Sequence, residues 1–174
     1  MKKKFLNLLK QPITNSYLSS INKRNTKNEY FYNLSVGFSE KSSMVQIIQG
    51  PKKEKMFNNN YSFYSSTSKY MDYHFKEFSK EIKKFLKKKK IIKPVIVEIG
   101  SNDGIMLKRF KKYRHYGIEP ASNVADVSKK LNLNVIKDFF NLKNANLIKN
   151  KYGKIDVYYS ANVICHIENL NNVF

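Results

Sequence analysis

Two glycines and two acidic residues surround the end of an apolar run, and their spacing suits the binding of a nucleoside cofactor. The run Pro94-Val95-Ile96-Val97-Glu98-Ile99 leads directly into Gly100-Ser101-Asn102-Asp103-Gly104. This pattern predicts a buried parallel strand that turns tightly into a helix. Glycine lets the backbone approach a ligand closely, and the start of a helix offers unpaired N–H groups. We therefore interpret Gly100, Asn102 and Gly104 as a ligand-binding turn.

A second acidic residue lies at the distance expected for a ribose contact. Glu119 follows Gly100 by 19 positions and comes directly after another short predicted strand, residues 115–118. In parallel α/β folds an acid at about this separation binds the hydroxyls of a nucleoside ribose. The sequence therefore predicts that Glu119 holds a ribose.

The glycine spacing discriminates between cofactors. Dinucleotide folds use G-x-G-x-x-G, because the pyrophosphate must lie against the start of a helix. Here Asn102 replaces the middle glycine, and Asp103 adds a negative charge that repels a pyrophosphate. Glu98 and Asp103 suit a cationic, amino-acid-like group instead. S-adenosylmethionine carries a sulfonium and an ammonium, so the pattern favours it over NAD. An NAD-type nucleotide binder and a tight turn without any ligand are the alternatives.

The strongly basic composition raises the question of a nucleic-acid partner. Of 174 residues, 33 are Lys or Arg and 13 are Asp or Glu, which gives a net charge of +20. Thirty of the basic residues are Lys, and Asn is also frequent, at 21, as expected of an A/T-biased codon pool. Arg, which reads phosphates and bases in a bidentate manner, occurs three times. A basic nucleic-acid-binding module is therefore an alternative function, but specific nucleic-acid binding is not expected.

The cysteine content and the hydropathy of the chain indicate its cellular compartment. Cys165 is the single cysteine, so no disulfide framework is expected and the chain is interpreted as cytoplasmic. A basic start followed by Phe5-Leu6-Asn7-Leu8-Leu9 resembles a signal peptide, but the apolar part is short and no cleavage site follows. No run approaches the ~18 apolar residues of a membrane span. No membrane association is expected.

The chain divides into three predicted zones. Residues 1–60 are polar and contain two strand-like pieces, at 30–38 and 44–48, which fit either a small β-rich module or a partly ordered arm. Residues 61–93 begin with a hydroxyl-rich loop and continue with helical periodicity over 70–85. Residues 94–174 alternate strands (95–98, 116–118, 134–137, 155–159) with helices (103–113, 121–131, 142–152). This alternation predicts right-handed βαβ units, a parallel sheet and an α/β fold.

An ordered set of motifs along nearly the whole chain resembles a known enzyme family. The motifs are the segments 11–18 and 61–68, Glu98-Ile99-Gly100-Ser101-Asn102-Asp103-Gly104, Gly117-Ile118-Glu119-Pro120-Ala121, Phe139-Phe140 and residues 162–167. Together they resemble the N-terminal part of the sugar C-methyltransferases, which use S-adenosylmethionine to methylate a ring carbon of a nucleotide-linked deoxy-keto-sugar. The resemblance implies a partial Rossmann-like class I methyltransferase domain over 94–174. A zinc-binding-type module over 1–60 and a helical connector over 61–93 would precede it.

The resemblance also implies roles for individual residues. Gly100, Asn102 and Gly104 would line the methionine end of the cofactor, Glu119 would hold the ribose, Asp138 and Phe139 would lie beside the adenine, and Asn162 would close the site. His166 would face a nucleotide-sugar substrate and remove the proton beside its ketone, a task that suits an imidazole. Tyr61 or Tyr64 would reach the sugar, and Tyr61 is the one that we assign.

Two departures from the family bear on activity. The N-terminal module of the family binds zinc through four cysteines, whereas here Ser39-Glu40-Lys41-Ser42 replaces one pair and no cysteine precedes it. A serine hydroxyl is not a zinc ligand at neutral pH, so zinc is not expected. The chain also stops after the fourth predicted strand of a seven-strand fold. We therefore expect a fragment, a split enzyme completed by a companion chain, or a decaying copy, and whether it is an active enzyme stays open.

Overall fold

The computed structural model describes residues 2–18, 29–167, 170 and 173. The chain forms two compact units, Met1–Ser62 and Phe63–Phe174. In the described part of the chain, no helix is both long enough and apolar enough to cross a membrane.

The N-terminal unit is a three-stranded antiparallel sheet. Its strands are β1 (Lys2–Pro12), β2 (Phe31–Ser39) and β3 (Met44–Gln49), in the order β1-β2-β3, and a four-residue helix α1 (Lys53–Met56) follows. The two pieces predicted at 30–38 and 44–48 are β2 and β3. Strand β1 was not predicted. Almost all of its side chains are exposed, so it lacks the alternation of apolar and polar residues that indicates a strand.

The C-terminal unit is a four-stranded parallel sheet with helices on both faces, compatible with a Rossmann-like fold. The sheet order is β6-β5-β4-β7, and every pair is parallel. The strands are β4 (Val95–Ile99), β5 (Arg114–Ile118), β6 (Val135–Ile136) and β7 (Val157–Ser160), and the helices are α2 (Lys69–Lys88), α3 (Ser122–Lys130) and α4 (Leu142–Tyr152). The predicted α/β class and parallel sheet are therefore confirmed.

Strand β4 is the centre of the core because it is buried along its whole length. Successive side chains of a strand point to opposite faces of the sheet. Accordingly, Ile96 packs in a cluster with Phe75, Ile82 and Leu86 of α2. Its neighbours Val95 and Val97 pack in a second cluster with Ile148 of α4. This packing fixes the height and direction of β4, and hence the position of the glycine turn that follows it.

The predicted helix over 103–113 is wrong. Turns follow Gly100, and a single 3₁₀ turn at Leu107–Phe110 is the helical piece that forms. The side chains of Asn102 and Asp103 are bonded to backbone groups far along the chain, as described below. Gly104 has a φ of +80°, which lies outside the α-helical region. An α-helix beginning at Asp103 is incompatible with that conformation.

Candidate cofactor site at the carboxyl edge of the parallel sheet

The glycine turn, which we define as residues 100–104, lies where ligands bind in open parallel sheets. The chain runs from β4 outward to β5 and β6, then returns to place β7 on the other side of β4. The order therefore reverses between β4 and β7. In open α/β sheets, ligands bind at such a switch point, outside the carboxyl ends of the strands. The turn begins at that end of β4, and Ser160 of β7 pairs with Ile99 directly beside it.

Three residues of the glycine turn adopt left-handed backbone conformations. The φ angles are +70° for Gly100, +48° for Asn102 and +80° for Gly104. A Cβ on Gly100 would collide with Val163, which follows β7. A Cβ on Gly104 would lie 2.6 Å from a Leu133 methyl group. Both glycines are therefore required by close packing as well as by backbone conformation.

The segment 63–68, which we call the strap, is hydrogen-bonded to the glycine turn. The Asn102 side chain accepts from Ser65 N–H at 2.9 Å and donates to the Phe63 carbonyl at 3.0 Å. Asp103 Oδ2 accepts from Ser66 N–H at 2.9 Å. The strap then leads into α2, whose first turn is capped by the Ser68 hydroxyl. The two polar side chains of the turn thus position the segment that precedes α2.

Glu119 is bonded to the same turn from the end of β5. Its two carboxylate oxygens accept from Asn102 N–H at 2.8 Å and from Ala121 N–H at 2.9 Å. Burial raises the pKa of Glu119, although the two N–H donors act against this effect. Glu119 is 4% exposed, so its carboxylate supports the backbone of the turn. Each oxygen keeps a second lone pair with which it could accept a ligand hydroxyl.

Glu98 lies beneath the turn and binds a tyrosine. The Tyr159 hydroxyl of β7 donates to Glu98 Oε2 at 3.0 Å, and Glu98 is 3% exposed. Burial raises the pKa of Glu98 well above its usual value, and the nearby charges of Glu119 and Asp103 raise it further. The side chain that was predicted to face a cationic ligand is thus enclosed by protein, and its contact with a cofactor stays a prediction.

Asp138 organises the segment between β6 and α4. Its Oδ1 accepts from Phe139 N–H at 2.7 Å, and its Oδ2 accepts from the amides of Asn141 and Asn144, each at 3.0 Å. Burial tends to raise the pKa of Asp138, but these donors outweigh it and the pKa is lowered. Asp138 is therefore an ionised acceptor at neutral pH, at the next carboxyl end along the sheet from Glu119.

The remaining predicted site residues fall in two places. Asn162, with a φ of +60°, and His166 follow β7 at the same carboxyl edge, and both are exposed. His166 ends the 3₁₀ turn Ile164–His166. Tyr61 belongs to the N-terminal unit, where its ring packs beside Phe57 with centroids 5.5 Å apart. Its predicted role at a sugar therefore stays a prediction.

The structure also shows contacts that the sequence did not indicate. The hydroxyl of Tyr64, in the strap, accepts from the side-chain amide of Asn123 on α3 at 2.9 Å. The Ser128 hydroxyl of α3 donates to the Asn102 carbonyl at 3.0 Å. These partners are 59 and 26 residues apart, so no local pattern could have revealed them. Together with Glu119, they tie the strap and the turn to the β5–α3 connection.

The acidic side chains at this edge are engaged in hydrogen bonds within the protein. Within the described residues, no three His, Cys, Asp or Glu side chains are placed to hold a metal ion. The acidic groups at the turn are bonded to N–H groups and to the Tyr159 hydroxyl.

The chain matches no protein-family model, and it matches no curated protein in sequence.

Proposed function

We propose that the C-terminal unit binds S-adenosylmethionine or S-adenosylhomocysteine and belongs to a methyltransferase. The observation that carries the proposal is the position of the glycine turn at the switch point between β4 and β7. Glu119 directly follows β5 and Asp138 follows β6, so acceptors for a ribose and for an adenine amine lie at successive strand ends. This order of groups suits an adenosyl ligand lying across the carboxyl edge.

The local structure after the turn supports an adenosyl ligand over a dinucleotide. A pyrophosphate site uses the start of an α-helix, where several N–H groups converge on the anion. Here a 3₁₀ turn takes the place of that helix, and the Asp103 carboxylate occupies the turn. The carboxyl of Glu119 lies nearby and is hydrogen-bonded to the same turn. A cationic sulfonium and ammonium suit these surroundings, whereas two phosphates do not.

The family resemblance supplies the reaction, which is C-methylation of a nucleotide-linked deoxy-keto-sugar. A base of the protein would remove the proton beside the ketone. S-adenosylmethionine held at this edge would supply the methyl group to that carbon and would be released as S-adenosylhomocysteine. His166 is the proposed base. Its exposed position after β7, at the edge where the cofactor would lie, supports that role.

Calorimetry of the full chain tests the cofactor. We expect S-adenosylhomocysteine to bind and NAD⁺ to bind more weakly or not at all. Glu119→Gln keeps the size of the side chain but removes its charge, so it should weaken S-adenosylhomocysteine binding by about 1–3 kcal/mol.

The matched control is Asp126→Asn on α3, which removes the carboxylate from a surface ion pair with Lys137. It should leave binding unchanged. Far-UV circular dichroism of both variants separates a loss of binding from a loss of fold. Tighter binding of NAD⁺ than of S-adenosylhomocysteine would refute the proposal.

A further inference from the structure

Asp103 has one carboxylate oxygen that the fold does not use. Oδ2 accepts from Ser66 N–H, but Oδ1 has no hydrogen-bond partner among the described residues. The residue is 1% exposed, so its carboxylate is withdrawn from bulk solvent. A buried polar atom without a partner is rare in folded proteins and calls for an explanation. A ligand donor is one such explanation.

The surroundings of Asp103 define which donor would fit. Its negative charge raises the pKa of both Glu98 and Glu119, so the three carboxyls lie within electrostatic range of one another. The charged groups that act on the pKa of Glu98 are both acids. A neutral donor would satisfy the free oxygen but leave this negative charge uncompensated. A cationic N–H donor satisfies both.

The other two acids are less suited to this role. Glu119 uses one oxygen on Asn102 N–H and the other on Ala121 N–H. Glu98 accepts from the buried Tyr159 hydroxyl and has a raised pKa, which favours its neutral form. Asp103 is also part of the glycine turn itself, directly after Asn102.

Two further buried hydroxyl groups lie at the same edge. Ser101 Oγ and Ser160 Oγ have no partner among the described residues. Ser101 belongs to the turn, and Ser160 ends the adjacent strand β7. The strand ends beside the turn therefore carry further polar groups that the described part of the fold leaves without a partner.

We propose that Asp103, through Oδ1, binds the α-ammonium group of the amino-acid end of the adenosyl ligand. This assignment rests on the proposed function. The sequence pattern predicted that Glu98 and Asp103 both suit the cationic group of the ligand. Here Asp103 alone has that role. Because Oδ2 of the same carboxylate holds Ser66, the residue also joins the ligand to the strap.

Two ligands that differ at the amino-acid end test the assignment. S-adenosylhomocysteine carries the ammonium and carboxylate, whereas 5′-methylthioadenosine keeps the adenosine and thioether and lacks that end. In Asp103→Asn, the amide oxygen can still accept from Ser66 N–H, while the amide NH₂ replaces Oδ1. We expect this variant to bind S-adenosylhomocysteine about 10- to 100-fold more weakly, the range for loss of a charged hydrogen bond. Binding of 5′-methylthioadenosine should change by less than about threefold, because a neutral-ended ligand makes no charged bond to lose.

The outcomes separate the two proposals. Unchanged affinity of Asp103→Asn for S-adenosylhomocysteine, or an equal loss for both ligands, would overturn the assignment while the proposed function stands. Binding of neither ligand by the wild-type chain would overturn the proposed function and this assignment with it. Asp126→Asn, which removes the same charge from a surface ion pair, should behave as wild type with both ligands.

Discussion

The buried carboxyl of Glu98 makes the stability of the C-terminal unit depend on pH in a direction that can be stated in advance. Burial, together with the charges of Glu119 and Asp103, raises the pKa of Glu98 well above 4.5, its usual value. The folded chain therefore retains a proton that the unfolded chain releases as pH rises above 4.5. Stability from this group is fully present below that pH and is lost as pH increases through the raised pKa.

The substitution Glu98→Gln isolates this effect because glutamine has the shape of the protonated acid. The Tyr159 hydroxyl can accept from the amide as readily as it donates to a carboxylate. Each pH unit between 4.5 and the raised pKa costs the wild type about 1.4 kcal/mol, so the loss between pH 5 and pH 7 is at most about 3 kcal/mol. The variant should avoid that loss. Its free energy of unfolding should equal that of the wild type near pH 5 and be larger than that of the wild type at pH 7.

Urea unfolding of the full chain is followed by circular dichroism at pH 5, 6 and 7. It measures how the free energy of unfolding changes with pH in the wild type and in Glu98→Gln. Glu77→Gln is the matched control, since Glu77 is an exposed residue of α2 paired with Lys80. The hydrogen bond from Lys80 outweighs the effect of burial, so the pKa of Glu77 is lowered and not raised. The free energy of unfolding of Glu77→Gln should change with pH in the same way as that of the wild type. Parallel slopes for Glu98→Gln and wild type, or a wild type that gains stability from pH 5 to pH 7, would refute the reasoning.

Two substitutions test the packing of the glycine turn. In Asn102→Gly the new residue suits the φ of +48°, but both side-chain hydrogen bonds to the strap are lost. The variant should therefore have a free energy of unfolding about 1–3 kcal/mol lower, and chymotrypsin should cleave it faster after Phe63. A cleavage rate equal to that of the wild type would contradict this. Gly117→Ala would place a Cβ 2.7 Å from Ser101 Cβ and 2.8 Å from a Leu107 methyl group, which should cost about 1–3 kcal/mol in urea unfolding. An unchanged unfolding midpoint would show that the turn can move aside.

The sequence predicted those parts of the fold that local patterns encode. Helix α4 has the predicted limits, 142–152, and the limits of α3 lie within one residue of the prediction. Both helices carry apolar residues at helical spacing between polar connections. Strand β4 was recognisable as a continuous apolar run, which is typical of a strand buried on both faces. The position of the glycine turn followed from it.

Other features depend on contacts between distant residues and were not predictable. The helix predicted over 103–113 carries apolar residues at helical spacing, but the bonds from Asn102 and Asp103 to the strap, 37 residues away, and the left-handed Gly104 prevent it. Glu98 was predicted to suit a cationic group of the ligand, yet its carboxyl is bonded to Tyr159, 61 residues away. Propensity is a weak guide where such tertiary bonds decide the conformation.

The bonds around Asn102 have a consequence for the order in which the unit folds. This residue is tied to segments 37 residues before it and 17 and 26 residues after it. Each tie requires a chain segment of that length to close, which slows its formation relative to local helices. The turn should therefore complete late in folding, when the strap, β5 and α3 are already in place. A ligand that recognises only the completed turn would then stabilise the whole unit, by a free energy that grows with ligand concentration.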